Sequence, residues 1–221
     1  MDCKKDHVDH RNVLADLKAQ TDPLEVLVLA QKAIKTTLPE LRANADGEYD
    51  ICGRKLSGSV IANLIDGARI VRAHSYAPYS HFNVGAGILA EDRHGIQERF
   101  GGVNIENAAY GSTVCAERAA AFAAVTAGYR RFLAYAVVGD FDGSVPAAIR
   151  AAAREHFVTP CGPCRQVTNE FEADPCAVIL ARESGEVLLT TLRWLLPMSF
   201  GPRNLGMDPM AYSRCACGHA A

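Results

Sequence analysis

The sequence predicts an α/β fold, a three-layer α/β/α sandwich on a mixed sheet of about five strands. Three observations carry that expectation. Apolar residues recur at helical spacing through Ile61, Leu64, Ile65, Ala68 and Val71. Phe82-Asn-Val84-Gly-Ala86-Gly-Ile88-Leu89 alternates as a strand, and the turn Asp92-Arg93-His94-Gly95 leads into a second strand from Glu98 to Val103. Apolar runs at Leu133 to Val138, Cys176 to Leu180 and Glu186 to Leu189 then follow helix-forming stretches. The order helix, hairpin, helix, strand, helix, strand, strand places helices on both faces of one sheet.

Taken in order, residues 1–58 read as an N-terminal helical extension and linker. Asp22-Pro23-Leu24-Glu25 opens a helix, with Asp22 as cap and Pro23 at the first helical position, and Leu24, Leu27, Val28, Ile34 and Leu38 form its stripe until Pro39. Ala43 to Gly58 is polar and reads as a connection. Cys3, His7 and His10 read as a loose group of solvated side chains rather than a metal site. Residues 59–205 form the main domain. Its first helix is capped by Ser57 or Ser59 and ends before Pro78. An alanine-rich helix runs from Ala116 to Ala127 and is stopped by Gly128. Further helices cover Ala147 to His156 and Cys164 to Phe171, and a short one around Leu192 to Leu196 ends at Pro197. Residues 206–221 are a tail carrying Cys215, Cys217 and His219.

A hydrophobic content of 49% in 221 residues is ample for a packed core. The net charge of -2, with acids and bases intermixed, gives no long-range attraction to a polyanion, so a nucleic-acid polymer is not the expected substrate. The charged start and the lack of a long apolar run predict a cytoplasmic protein with no membrane span. Eight cysteines in a reducing compartment suit metal ligation or free thiols better than disulfides.

Two stretches concentrate the chemistry, Thr113-Val-Cys115-Ala-Glu117-Arg118 and Pro160-Cys161-Gly-Pro-Cys164-Arg165. With Cys164 in the first turn of a helix, Cys161 and Cys164 face one point, and Cys115 can reach it from a second helix start. Three thiols leave a fourth position open, the pattern of catalytic zinc. Glu117, two residues after Cys115, lies roughly 200° around a regular helix from it, so the pair works together only at a helix entrance. There the carboxylate handles protons without ligating metal. A lone Cys-x-x-Cys also fits two buried thiols, half of a structural zinc site, or a redox pair. Three thiolates on zinc leave a charge of about -1, which two helix N-termini and the Arg118 guanidinium are placed to offset.

The Cys-x-Glu and Pro-Cys-x-x-Cys spacings match the known signature of zinc nucleobase deaminases. More specifically, five motifs in order resemble the homotetrameric cytidine deaminases. They are Tyr76-Ala-Pro78-Tyr79-Ser80-His81-Phe82-Asn-Val84-Gly85-Ala86, Asn104-Ile-Glu106-Asn107-Ala, Cys115-Ala-Glu117-Arg118, Pro160-Cys161-Gly-Pro-Cys164-Arg165-Gln166-Val, and Leu195-Leu196-Pro197-x-x-Phe200-Gly-Pro202. The resemblance covers about two thirds of the chain. It implies one Zn2+ per subunit on Cys115, Cys161 and Cys164, with Glu117 as proton shuttle. It also implies that Asn104 and Glu106 bond the ribose 3'-hydroxyl, Phe82 packs on the cytosine ring, and the Ala116 backbone N–H meets the pyrimidine carbonyl. The same resemblance implies that Tyr110 and Phe200 complete the pocket, Phe200 from a neighbouring subunit of a homotetramer with shared active sites. Arg118 supports the metal ligands. The implied reaction is hydrolytic deamination of cytidine and deoxycytidine in pyrimidine salvage.

Residues before Ser59 and after Leu205 have no counterpart in that family pattern, the spacer from Asp140 to Thr159 is longer than usual, and Ala119 stands where the family often has threonine. Rival readings are a deaminase of a cytosine-nucleoside antibiotic, a deaminase of polymeric RNA or DNA, and a non-catalytic zinc-stabilised binding module. Asn104, Glu106 and Phe82 argue against the first and the charge balance against the second. The third predicts a fourth protein ligand on the metal.

Overall fold

The computed structural model describes residues 33–211. Within them the chain runs β1 (Ile34–Thr37), α1 (Leu38–Ala43), β2 (Glu48–Ile51), β3 (Arg54–Ser57), α2 (Gly58–Arg72), β4 (Phe82–Glu91), β5 (Gln97–Val103), α3 (Ala116–Thr126), β6 (Arg131–Phe141), α4 (Ala147–Arg154), α5 (Gly162–Glu170), β7 (Glu172–Ala181), β8 (Glu186–Thr191) and α6 (Leu192–Leu195). The helix start at Asp22, the group Cys3, His7 and His10, and the group Cys215, Cys217 and His219 lie outside the described residues.

One six-stranded sheet has the order β1-β8-β7-β6-β4-β5. Only β6 and β7 pair in parallel; the other pairs are antiparallel. The sheet is mixed, as expected, but holds six strands rather than about five. The added strand is β1, which pairs with β8 at Ile34↔Leu189. The expected helix through Leu38 is corrected here. Ile34-Lys-Thr-Thr, rich in β-branched side chains, extends as an edge strand. Pro39 does not end a helix but opens one, because Thr37 and Glu40 form a capping box at the start of α1. The expected connection from Ala43 to Gly58 is also corrected, since it contains the β2–β3 hairpin, which turns at Cys52 and Gly53 with φ of 50° and 97°.

Side chains alternate across the sheet and build two cores. On one face α2 lays Ile61, Leu64, Ile65 and Ala68 against Ala136, Val138 and Ile179, with Leu38, Leu41, Ile51 and Leu56 joining the same cluster. Ser57 caps α2, its hydroxyl accepting from Val60 N at 3.3 Å. On the other face α3 presents Ala116, Ala120, Ala121 and Ala124 to Ile88, Phe132, Tyr135, Val137 and Val178, with Val167 and Phe171 from the α5 region alongside. The alanines bring the α3 backbone close to the sheet, and Gly102 completes the approach. A Cβ at Gly102 would lie 2.2 Å from Ala120 N and 2.5 Å from Ala116 O. This close seat fixes where α3 begins, and α3 begins at the chemistry. At its far end Gly128, with φ of 95°, closes the helix.

Candidate active site

The loop between β5 and α3 is tied down before it reaches the first cysteine. Tyr76 N donates to Asn104 O and Glu106 N to Tyr76 O, and Ile105 and Val114 exchange both backbone hydrogen bonds. Cys115 is therefore delivered to the N-cap of α3 from a braced segment. Cys161 is the N-cap of α5, and Cys164 sits in the first turn of that helix. Neither N-cap cysteine uses its side chain to cap its own helix. Their sulfurs turn to one another instead, at 3.8 Å for Cys115–Cys161 and 3.3 Å for Cys161–Cys164, and all three lie within 4.8 Å of one another.

This donor set fits zinc. Tetrahedral thiolates at about 2.3 Å from the metal are about 3.8 Å apart, near the Cys115–Cys161 separation. Among the described residues no further Cys, His, Asp or Glu joins the group. The three sulfurs also share protons. Hydrogen bonding from Cys164 first, against the opposing effect of burial, and then from Arg118 draws the Cys115 thiol down to about 5, while the shared bond with Cys115 and burial raise Cys164. A site that already favours a thiolate suits a divalent cation in place of those protons.

Glu117 lies in the first turn of α3 and is only 5% exposed. Burial pushes its carboxyl up to about 6; its own backbone N–H pulls it down and the Cys115 charge pushes it further up. Arg118 Nη2 donates to Thr113 O at 2.7 Å and reaches Cys115 Sγ at 3.8 Å. The guanidinium thus braces the loop and the thiol together. Ala116 is the first residue of α3, so its N–H has no acceptor within the helix.

The remaining expected residues fall into two groups. Asn104 is buried, its Oδ1 accepting from Val84 N at 2.9 Å and its Nδ2 donating to Phe82 O at 2.8 Å. One amide hydrogen and one lone pair of that side chain remain for a ligand. Glu106 Oε2 accepts from Tyr79 N and Ser80 N. Although burial opposes it, hydrogen bonds from Ser80 and the Tyr79 and Ser80 backbone hold this carboxyl below its ordinary value. Tyr110 is 76% exposed in the turn Tyr110–Ser112, with its ring edge-on to Tyr79. These residues belong to the loop braced against Cys115. Phe82 opens β4 and Phe200 follows α6, so neither belongs to that loop. The Phe82 ring packs on Phe141 at 4.8 Å. Phe200 is 63% exposed and lines a groove of about 590 Å³ with Val125, Phe171 and Pro202, its carbonyl held by Gln166 and Asn169 of α5.

Sequence reasoning gave Arg165 no role. Its Nε donates to Pro160 O and its Nη1 to Leu195 O, both at 2.7 Å, so it locks the Cys161 turn onto the end of α6. Its position directly after Cys164 was the available signal.

Residues 61–180 match the family model described as the cytidine and deoxycytidylate deaminase zinc-binding region. A cytidine deaminase of Sporosarcina psychrophila is 41% identical over 145 residues, covering 66% of this chain and 94% of that protein. A cytidine deaminase of Mycobacterium tuberculosis is 40% identical over 143 residues, covering 63% and 89%. The crystal structure of cytidine deaminase from Burkholderia pseudomallei superimposes with a TM-score of 0.51 at 41% identity, covering 62% of this chain and 97% of that one. With its mixed sheet, its three converging thiols and these matches, the chain belongs to the cytidine deaminase family of zinc enzymes.

Proposed function

We propose that this protein hydrolyses cytidine and deoxycytidine to uridine and deoxyuridine with release of ammonia. The observation that carries the reading is a buried carboxylate, Glu117, in the same helix turn as one of three converging thiols. Cys115, Cys161 and Cys164 hold the zinc. When bound, the metal supplies a water that is nucleophilic near neutral pH.

The chain's own residues do the rest. Glu117 takes a proton from the attacking water and delivers it to ring N3 as oxygen bonds to C4 of the base. Glu117 then carries the second proton to the amino nitrogen, the C4–N bond breaks, and ammonia leaves. The Ala116 N–H donates to the pyrimidine carbonyl, and Phe82 packs on the ring. Asn104 and Glu106 bond the ribose 3'-hydroxyl, and because none of these contacts requires a 2'-hydroxyl, both sugars are accepted. Arg118 offsets the thiolate charge.

Tyr110 and Phe200 finish the pocket across a homotetramer. The exposure of both rings, and the place of Phe200 along an open groove with Val125, Phe171 and Pro202, support delivery of Phe200 to a neighbour's site. Residues 59–205 are the catalytic unit, with 1–58 and 206–221 as extension and tail. The described part of the extension packs on the sheet through Leu38, Leu41, Ile51 and Leu56. Five free cysteines among the described residues suit the cytoplasm and a role in pyrimidine salvage.

The test is ultraviolet absorbance of the protein with cytidine and with deoxycytidine, beside Glu117→Ala, with zinc quantified in both. Wild-type turnover, a fall of at least about 10³-fold in the variant, and about one zinc per chain in each are expected. A folded, zinc-loaded wild type that turns over neither nucleoside sinks the reading and leaves the antibiotic deaminase or the binding module.

A further inference from the structure

Asn169 stands in the last turn of α5 with only 8% of its surface exposed. A buried amide destabilises the fold unless its polar atoms are bonded. Both side-chain bonds of Asn169 go to one short stretch of chain. Its Oδ1 accepts from Ser199 Oγ at 2.8 Å, and its Nδ2 donates to Phe200 O at 3.1 Å. The next residue makes room for the amide. A Cβ at Gly201 would lie 2.6 Å from Asn169 Nδ2, although the φ of -150° there is one that any residue adopts. Glycine is therefore needed at that position for space and not for its backbone angle.

The stretch that Asn169 holds has little local reason to keep its shape. Residues 196–201 form neither helix nor strand, and Met198 has a φ of 52°, in the left-handed region that a non-glycine residue occupies at a cost. Contacts from α5 fix both ends instead. Arg165 Nη1 donates to Leu195 O at 2.7 Å, and Gln166 Nε2 joins Asn169 on Phe200 O at 2.9 Å. The Phe200 ring itself stays 63% exposed. A fixed backbone beneath an exposed ring suits a side chain that acts outside its own subunit, because the ordering precedes the contact.

We propose that Asn169 is the positioning residue for Phe200, setting the backbone of residues 199–201 so that the ring is presented outward to the neighbour's pocket. The hold is a property of this fold, and its effect on substrate rests on the reading of Phe200 as a pocket residue. Helix α5 then serves two sites. Its first turn carries Cys164, and its last turn sets a ring that belongs to the next subunit.

The experiment places 4-fluorophenylalanine at position 200 and compares the otherwise wild-type chain with Asn169→Leu and Gly201→Ala, all zinc-loaded. Leucine keeps the branch at Cγ and loses both bonds. Gly201→Ala leaves Asn169 in the sequence but pushes its Nδ2 off the Phe200 carbonyl. Both changes should shift or broaden the 19F resonance. With ordinary phenylalanine at 200, KM for cytidine should rise about fivefold in either variant, with kcat within about twofold and zinc content unchanged, since a contact made alike in ground and transition states acts on KM. In a Phe200→Ala chain the same two changes should leave KM where Phe200→Ala put it. An equal rise in that background overturns the proposal, because the amide then acts other than through the ring. A 19F resonance that neither variant moves overturns it as well. A moved resonance, with KM unaltered by Phe200→Ala itself, upholds the hold of Asn169 and instead removes Phe200 from the pocket, so the two failures are separate. If Asn169→Leu does not fold, Gly201→Ala carries the test alone, its backbone angle being open to alanine.

Discussion

Helices on the two faces of the sheet begin differently. On one face Thr37 and Ser57 turn their hydroxyls back onto the first N–H groups of α1 and α2. On the other face α3 and α5 begin with Cys115 and Cys161, which make no such bond. The first pair of helices uses its caps for its own stability. The second pair leaves its N–H groups and positive ends facing three sulfurs and a carboxylate. The packing faces of the helices follow the same division, α2 burying large aliphatic side chains and α3 alanines, where closeness matters more than buried area.

Replacing Cys115 with serine tests this division most severely, because serine is a good cap and a poor zinc ligand. Cys115→Ser should bind far less than about one zinc per chain in the presence of a chelator and lose deaminase activity. The metal-free variant should nevertheless gain up to about 1 kcal/mol in denaturant unfolding over metal-free wild type, from the new cap. Retained zinc and turnover would remove Cys115 from the metal site.

Gly102→Ala breaks the comparison through packing. Its Cβ would meet Ala120 N and Ala116 O, backbone atoms that cannot swing aside. A loss of about 1–3 kcal/mol is expected in denaturant unfolding. Because the displaced helix carries Glu117, kcat should fall on the order of 10²-fold although no site residue has changed. Unaltered kcat in the folded variant would mean that the seat of α3 does not set the geometry of Glu117.

Much of this arrangement is legible in the sequence. The spacings of Cys115, Cys161 and Cys164 place all three at helix starts, and α2, α3 and the β4–β5 hairpin follow from local periodicity. The errors have local causes too. Thr37-Leu-Pro39-Glu40 carries a capping box, yet Pro39 also reads as a helix stop. The β2–β3 turn puts Cys52 where Asn or Asp would announce it. Pairing of β1 with β8 and the lock of Arg165 on Leu195 depend on contacts distant in sequence. No short-range pattern encodes those.

The smallest expected effect completes the contrast. Ser57→Ala removes the hydroxyl that accepts from Val60 N and also contacts Ser59 Oγ. It should cost about 1 kcal/mol, and Ser57→Gly only a few tenths on the order of 0.3 kcal/mol, since glycine tolerates the cap position and lets water reach the freed N–H groups. Zinc content and kcat should match the wild type in both variants, because α2 packs on the face opposite the thiols. A change in kcat without a change in zinc would show that the two faces are mechanically coupled through β4. That strand lies between them, with Ala86 and Ile88 under α3, Leu89 under α2, and Val84 N bonded to Asn104.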